Sequence, residues 1–284
     1  MDNMIKFYGK KMTWQNEQER KRPKSIVLFD MDGTLTEPRE SFDPILLPSL
    51  LELSKKADIG ILTGSDLNYV NQQLKDLLNN KEMRTKIHLL PCNGTKYYAP
   101  PLVNTGNFEL IHEANIKDQI GDQDFKQVMI SLIEIQSELD FYSIPLTGHH
   151  ISYRGSTINW CPSGRNANSD ERQDFVMYDL SMNPTYRERL LKRLEDKFIM
   201  RGLAEKLTIK LGGSTSFDIY PNGWDKTYCL DHFVSWDIWF VGDKCEGQGN
   251  DKEIYDFLQT KKQSFKTKDP LNTKLIIDEI VLKI

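Results

Sequence analysis

One stretch of sequence decides the fold of this 284-residue chain, IVLFDMDGTLT at residues 26–36. Its first four residues are apolar, which is typical of a buried parallel strand. Asp30 and Asp32 follow where that strand should end, and ligands of α/β sheets bind outside the carboxyl ends of strands. Gly33 and Thr34 predict a tight turn whose exposed backbone N–H groups can hold a phosphate. The stretch thus indicates one carboxylate that attacks phosphorus and a second that handles a proton.

Strands and helices alternate after this stretch. Apolar periodicity predicts strands at 59–62, 87–90 and 238–241, and helices at 42–56, 67–79 and 251–259. Such a rhythm is typical of a right-handed parallel sheet.

The pattern differs between about residues 99 and 221. Here the sequence predicts helices at 125–139 and 186–200, and short strands at 150–154, 157–160, 207–210 and 216–220. Paired strands with two helices indicate an antiparallel sheet covered on one face. We therefore predict an α/β fold with a Rossmann-like parallel-sheet core and an inserted α+β cap domain. The predicted divisions are a polar leader at 1–24, the first part of the core at 25–99, the cap at 100–221 and the second part of the core at 222–284.

Composition excludes several classes of partner. The net charge is −4 and the body of the chain carries no basic stripe, so we expect no nucleic acid. No apolar run approaches the roughly 18 residues of a membrane helix, so we expect no membrane contact. The four cysteines are scattered without a C-x-x-C motif, which favours reduced thiols and a cytoplasmic location. The leader, with a weak helix predicted near Trp14, is given no function.

Further polar groups stand at strand ends or beside them. Asp243 follows the strand at 238–241 and could complete a cation site with Asp30. Magnesium prefers a few carboxylate oxygens together with water and substrate phosphate, so we predict Mg²⁺ here. Lys226 could neutralise charge on the attacking carboxylate and the phosphoryl oxygens. Either Ser65 or Thr63 could donate a hydrogen bond to the phosphoryl group.

These motifs together carry a family resemblance. The set DMDGT, TGSD, GWDK and GD followed by GQGND resembles the haloacid dehalogenase superfamily of phosphotransferases. In the insert, YRGSTINWCPSGR at 153–165 resembles the segment FRNGMLNxSPxGR of the eukaryotic-type phosphomannomutases, and Arg172 stands where that family also has an arginine. GGSTSFDIYPNGWDK at 212–226 resembles the family segment GGxxSFDxFPxGWDK.

The resemblance implies an activity and its setting. It implies an isomerase that interconverts mannose 6-phosphate and mannose 1-phosphate through a phospho-aspartate and a hexose 1,6-bisphosphate, for GDP-mannose synthesis. It also implies Mg²⁺ as the cofactor and a homodimer formed through the cap domains.

The resemblance also assigns roles to residues. It implies that Asp30 is the nucleophile, that Asp32 is the general acid/base and lends its backbone carbonyl to the metal, and that Asp243 is the other metal ligand. It makes Lys226 part of the catalytic centre. The implied substrate-binding residues are Arg39 and Ser65 in the core, and Arg154, Asn159, Arg165, Arg172, Ser216 and Asp218 in the cap.

The physical logic of a bisphosphate intermediate agrees with this set. Two phosphates need two anion sites, and the planar guanidinium of arginine can bind phosphate through two hydrogen bonds. A cap that closes over the core would exclude water from the phospho-aspartate.

Several alternatives stay open. A sugar-phosphate phosphatase of the same superfamily would share the core motifs without needing the three cap arginines. A non-catalytic sugar-phosphate sensor would not need a nucleophile. Cys92 stands where the family usually has Glu, and its effect is open. The apolar positions on the helix at 125–139 could form the dimer interface or the cap core; they are Val128, Met129, Leu132 and Ile135.

Overall fold

The structure is a computed structural model that describes residues 24–140, 142–247 and 249–284. The helix predicted near Trp14, and the leader at 1–24 apart from Lys24, lie outside the described residues. The described strands are β1 (Ser25–Phe29), β2 (Asp58–Leu62), β3 (Ile87–Leu90), β4 (Lys96–Ala99), β5 (Glu109–Glu113), β6 (Ile151–Tyr153), β7 (Ile158–Trp160), β8 (Leu207–Gly212), β9 (Ser216–Pro221), β10 (Asp237–Gly242) and β11 (Ser264–Lys266).

The described helices pack against these strands. They are α1 (Leu47–Ser54), α2 (Leu67–Gln73), α3 (Lys75–Leu78), α4 (Ile116–Ile120), α5 (Asp122–Ser137), α6 (Ser169–Leu180), α7 (Tyr186–Met200), α8 (Lys252–Gln259) and α9 (Pro270–Lys283). The helix predicted at 67–79 breaks at Leu74 into α2 and α3, and the segment Lys226–Phe233 is a 3₁₀ helix.

The larger sheet has the strand order β11-β10-β1-β2-β3-β4-β5. Its strands from β11 to β3 run parallel, and β4 and β5 are antiparallel additions at one edge. Val27 and Phe29 pack into an apolar cluster on one face, whereas Ile26 and Leu28 pack into a second cluster on the other. Burial on both faces explains why β1 is a continuous apolar run. The predicted parallel-sheet core is confirmed.

The central position of β1 determines where its polar neighbours lie. Phe29 pairs with Val241 of β10 and Ile61 of β2, so the three strands end side by side. The backbone N–H of Asp30 donates to the Val241 carbonyl at 2.9 Å and extends the ladder by one residue. Asp30 therefore leaves the sheet at the same edge as the residues that follow β2 and β10.

The smaller sheet is antiparallel, with the order β6-β7-β9-β8. Trp160 of β7 pairs with Phe217 of β9, and their rings stack 4.8 Å apart in an apolar core shared with α5, α6 and α7. Because side chains alternate along a strand, the neighbouring pair, Asn159 and Asp218, faces the other way. The α+β insert thus has one apolar face under its helices and one polar face.

The helix α5 answers one question left open by the sequence. Val128, Leu132 and Ile135 are buried in the core of the smaller-sheet unit, and Met129 is partly buried against it. These residues are therefore core and not a free interface.

The division between core and cap needs one adjustment. Strand β5 lies in the range 100–221 assigned to the cap, yet it pairs with β4 in the larger sheet. We propose that the cap begins after β5 and ends with β9. Among the described helices, none is both long and apolar enough to cross a membrane.

A buried carboxylate anchors the amino ends of the parallel strands. Asp58, at the start of β2, accepts hydrogen bonds from His88 Nε2 at 3.1 Å and from Lys24 Nζ at 2.6 Å. Burial raises the pKa of Asp58, but the hydrogen bonds from His88 and Lys24 outweigh it and lower the pKa to about 2.

Acid should therefore weaken the fold through Asp58. Since its folded pKa lies below the unfolded value of about 3.9, the stabilisation is complete above that value and is lost as the pH falls toward 2. Between about pH 5 and 2, we expect the unmodified protein to lose about 2 kcal/mol more unfolding free energy than Asp58→Asn. Urea unfolding at a series of pH values measures this, and equal acid dependence in the two proteins would contradict it.

Candidate active site

A buried lysine joins two carboxylates at the carboxyl edge of the larger sheet. Lys226 Nζ donates hydrogen bonds to Asp30 Oδ1 and to Asp251 Oδ1, and its side chain is fully buried. Lys226 begins the 3₁₀ helix, whose first turn is capped by Asp225 through a 2.8 Å bond from the Thr227 backbone. Asp251 immediately precedes α8 and also accepts from the Lys244 backbone at 3.0 Å. Three segments far apart in sequence thus meet at one ammonium group.

A third carboxylate completes this centre. Oxygens of Asp30, Asp243 and Asp251 all lie within 4.8 Å of one another. Gly33 leaves the space for Asp243, because a Cβ at Gly33 would stand 2.4 Å from Asp243 Oδ2. Asp251 was not among the predicted site residues. Its position before α8 resembles an ordinary helix cap, and only its complete burial beside Lys226 distinguishes it.

In the described part of the chain, Lys226 supplies the one ammonium that is hydrogen-bonded to this centre. Three carboxylates and this ammonium leave a formal excess of two negative charges, the amount that one divalent cation would neutralise. Burial, and then the Asp251 carboxylate, raise the pKa of Asp30, while Lys226 opposes them. Asp243 Oδ1 is buried with no hydrogen-bond partner among the described residues. Hard oxygen donors with an unused lone pair fit a magnesium ion.

Asp32 lies outside this network. Its Oδ1 accepts a 2.8 Å hydrogen bond from the Tyr69 hydroxyl and a 3.1 Å bond from the Arg39 backbone N–H. Tyr69 was also missed from sequence, because an aromatic residue on an amphipathic helix is usually a packing residue. The two aspartates that follow β1 thus have different surroundings.

The turn after Asp32 differs from its prediction. The N–H of Gly33 donates to the Thr36 carbonyl at 2.7 Å, and that of Thr34 donates to the Met31 carbonyl at 3.2 Å. The expectation that these two N–H groups are free to hold a phosphate was wrong, because the turn uses them itself. The buried hydroxyl of Thr34, in the same turn, has no hydrogen-bond partner in the described part of the chain.

The loop after β2 carries the two candidate hydroxyls. Thr63 Oγ1 accepts from the Ser65 backbone N–H at 3.1 Å, which ties that side chain into the turn. Ser65 is half-buried, and its carbonyl accepts from the Cys92 backbone at 2.8 Å. Asp66 caps α2 by accepting a 3.0 Å hydrogen bond from the Tyr69 backbone N–H.

The polar face of the smaller sheet carries a linked group of side chains. Asn159 Nδ2 donates to Asp218 Oδ1 at 2.7 Å and to Ser216 Oγ at 3.1 Å. Arg165 Nε donates to Asn159 Oδ1 at 3.0 Å. Arg154 Nη1 lies 3.9 Å from Asp218 Oδ1. Side chains from β7, from β9 and from the loops before and after β7 therefore lie together on this face of the insert.

The cap group meets the core. Arg154 Nη1 donates to the Gly64 carbonyl at 3.2 Å, between Thr63 and Ser65. A second bond joins the two units, because Thr95 Oγ1 of the core donates to Ser156 Oγ of the cap at 2.6 Å. The polar face of the insert thus lies against the strand ends of the larger sheet.

Arginine side chains of the core and the cap lie near one another in the space between the two units, here called the cleft. Burial, and then the Arg39 guanidinium, lower the pKa of Arg172, which also donates to Ser214 Oγ at 3.3 Å. Desolvation inside the cleft, and then the Arg154 guanidinium, lower the pKa of Arg165. Such an assembly of like charges fits an anion with several negative charges. Hydrogen bonds and close contacts thus link five predicted cap residues, Arg154, Asn159, Arg165, Ser216 and Asp218, and the charge of the core residue Arg39 acts on Arg165 and Arg172.

Comparison with known proteins gives a consistent result. The sequence profile described as "Eukaryotic phosphomannomutase" matches residues 46–283. A phosphomannomutase of Dendrobium officinale is 36% identical over 241 residues, covering 84% of this chain and 87% of its own. Phosphomannomutase 1 of Dictyostelium discoideum is 34% identical over 265 residues, covering 92% of this chain and 98% of its own.

Solved structures resemble the fold at much lower sequence identity. An IMP-nucleotidase of Plasmodium falciparum, bound to IMP, superimposes with a TM-score of 0.62 at 13% identity, covering 92% of this chain and 69% of that one. A trehalose-6-phosphate phosphatase related protein superimposes with a TM-score of 0.52 at 14% identity, covering 91% and 98%. These likenesses concern the fold alone.

The buried centre yields a stability prediction. Lys226→Met would leave buried carboxylates without their ammonium partner, and removing one partner of a buried pair costs about 3–5 kcal/mol. Urea unfolding in the presence of EDTA should show a loss of this size. The double variant Lys226→Met/Asp251→Asn, which removes one unpaired charge, should recover part of it. Unchanged stability of the single variant would contradict the role of Lys226 as the counter-ion.

Proposed function

The chain belongs to the eukaryotic phosphomannomutase family, and we propose that it interconverts mannose 6-phosphate and mannose 1-phosphate through a phospho-aspartate and a hexose 1,6-bisphosphate. One observation carries the proposal beyond the family name. The cap guanidinium of Arg154 meets the core loop at Gly64, which supports a cationic phosphate site on the cap beside the sheet edge that carries Asp30 and Lys226. A phosphatase needs one phosphate site, whereas a bisphosphate intermediate needs two.

Asp30 is the proposed nucleophile. One of its oxygens attacks phosphorus, and the new P–O bond forms as the bond to the sugar oxygen breaks. Lys226 lies against Asp30 and offsets the negative charge that collects on the phosphoryl oxygens. Asp30 is only 4% exposed, which protects the phospho-aspartate from water. Ser65 and Thr63 are both proposed phosphoryl donors, since Thr63 Oγ1 only accepts a hydrogen bond in its turn and keeps its O–H for donation.

Asp32 is the proposed general acid/base. It gives a proton to the departing sugar oxygen in the first half-reaction and takes one from the attacking hydroxyl in the second. Its half-buried position allows this, because its carboxylate contacts Arg39 and Tyr69 and not the Lys226 network.

The cap would hold the rest of the substrate. We assign the phosphate that is not transferred to the guanidiniums of Arg154, Arg165 and Arg172, with Arg39 completing the site from the core. Asn159 positions this group, since it links Arg165 to Asp218. Ser216 and Asp218 are the proposed partners of the sugar hydroxyls.

The proposed cofactor is Mg²⁺. Asp30 and Asp243 would hold it through carboxylate oxygens, and Asp32 through its backbone carbonyl. When bound, it would supply positive charge beside the transferred phosphoryl group. Asp251 would act on this site through Lys226, which it shares with Asp30.

The activity test uses mannose 6-phosphate with Mg²⁺ and a catalytic amount of hexose 1,6-bisphosphate. We expect mannose 1-phosphate, measured by ³¹P NMR, and a loss of turnover on the order of 10⁴-fold or more in Asp30→Asn. Release of inorganic phosphate without mannose 1-phosphate would make the chain a phosphatase. Sugar-phosphate binding without any turnover would make it a sensor. Either result would overturn the proposal.

A cap variant provides the matched control for this experiment. Arg165→Ala should lower kcat/KM with hexose phosphates by roughly 10- to 100-fold, since it removes charged hydrogen bonds to phosphate. Arg193→Ala removes an exposed cap arginine that is paired with Glu138 and should leave kcat/KM unchanged.

Assembly and location are further parts of the proposal. We propose a homodimer formed through the cap domains, with its interface on the outer face of α5. There Ile130 and Ile133 are exposed, and Ile133 shares an apolar depression with Leu146. The four cysteines are buried and free, in keeping with a reducing cytoplasm. The product would supply GDP-mannose synthesis.

A charge on this face should disrupt the dimer. Ile133 is 57% exposed, so Ile133→Lys should fold normally yet sediment as a monomer at concentrations where the unmodified chain is a dimer. Leu275→Lys on α9, at a similarly exposed position far along the chain, is the control and should stay dimeric. Sedimentation velocity distinguishes these outcomes, and a monomeric unmodified chain would refute the interface.

A further inference from the structure

The hydrogen bonds of Asp32 are unevenly distributed over its two oxygens. Both donors, the Tyr69 hydroxyl and the Arg39 N–H, reach the same atom, Oδ1. In the described part of the chain, Oδ2 takes part in no hydrogen bond. Two donors on one oxygen determine the plane of the carboxyl group and leave the other oxygen to carry a proton.

The fold holds Tyr69 firmly in place for this contact. Tyr69 lies in the first turn of α2, where its backbone N–H donates to the capping side chain of Asp66 at 3.0 Å. Its ring packs against the larger apolar cluster of the core. Both ends of the residue are therefore restrained, and the hydroxyl meets Asp32 at 2.8 Å.

The second donor is held by an unusual backbone conformation. Arg39 has a φ of 71°, in the left-handed region that non-glycine residues seldom adopt. This conformation directs the Arg39 N–H at Asp32. The Tyr69 hydroxyl, the other donor, reaches Asp32 Oδ1 at 2.8 Å.

We propose that Tyr69 is a positioning residue, which orients the Asp32 carboxyl group so that Oδ2 exchanges the proton with the sugar oxygen. The proposal rests on the proposed function, in which Asp32 is the general acid/base. Oδ1 can accept from Tyr69 whether or not Oδ2 is protonated, so one orientation serves both half-reactions.

The proton and electron balance is simple. In the first half-reaction, the P–O bond to the sugar breaks and its electron pair stays on the sugar oxygen, which receives the proton from Asp32 Oδ2. The phosphorus forms its new bond to Asp30. In the second half-reaction, Asp32 Oδ2 takes the proton of the attacking sugar hydroxyl, whose oxygen forms a bond to phosphorus. The bond between Asp30 and phosphorus breaks, and its electron pair stays on the Asp30 carboxylate.

Rates with two different phosphoryl donors distinguish the positioning role of Tyr69 from a purely structural role. A hexose 1,6-bisphosphate loses an alkoxide and needs the proton, whereas acetyl phosphate loses a stable carboxylate and does not. We expect Tyr69→Phe to slow Asp30 phosphorylation by hexose 1,6-bisphosphate roughly 10- to 100-fold, because it removes a hydrogen bond to the carboxylate that forms as Asp32 gives up its proton. The rate with acetyl phosphate should stay within about 3-fold, because the phenyl ring keeps its packing. Rapid quench with mass spectrometry of the phospho-enzyme measures both rates.

The control is Tyr98→Phe, since Tyr98 packs against the same apolar cluster from β4. It should change neither rate. If Tyr69→Phe slowed phosphorylation equally with both donors, or with neither donor, the positioning role would be overturned. The two phosphorylation rates are compared within each variant, so this test does not depend on the final product. If the unmodified chain forms only inorganic phosphate, the proposed function is overturned but the positioning role is not.

Discussion

The whole structure depends on burying one ammonium group between two carboxylates. Lys226 is 196 residues from Asp30 and 25 residues from Asp251, and all three side chains are removed from water. Such burial is costly unless every charge finds a partner, so the chain must bring β1, the 3₁₀ helix and the start of α8 together. The last cap strand ends at Pro221, just before Lys226, so the insert returns to the core at the point where this contact forms.

The two sides of the cleft have opposite charge imbalances. The core centre has a formal excess of negative charge, which suits a metal ion, whereas in the cap burial and then neighbouring guanidiniums lower the pKa of Arg165 and Arg172. Neither side is balanced by the described residues alone. A divalent cation would offset the excess charge on the core side, whereas a substrate phosphate would offset the guanidinium charge on the cap side. Composition could not reveal this, because the net charge of the chain is small.

Periodicity predicted the elements that bury a regular apolar face, and α7 has the predicted bounds. It missed β5, whose side chains are mostly exposed, and α9, whose apolar residues lie on more than one side. In the site, motif positions predicted the proposed catalytic and substrate-binding residues, but not the side chains that contact them. Asp251 resembles a helix cap, and Tyr69 resembles a packing residue, because their roles depend on tertiary contacts. The phosphate cradle failed for a similar reason, since the turn at Gly33 uses its own N–H groups.

The pair of aspartates after β1 shows how a short stretch places two carboxylates in different environments. Asp30 continues the strand ladder and is held in the buried centre, where Lys226 is its partner. Burial raises the pKa of Asp30, and the Lys226 ammonium opposes that rise. Asp32 lies beyond the end of the strand, where it is half-buried and, in the described part of the chain, accepts from two neutral donors, the Tyr69 hydroxyl and the Arg39 backbone. The strand end therefore separates the proposed nucleophile from the proposed acid/base before any substrate binds.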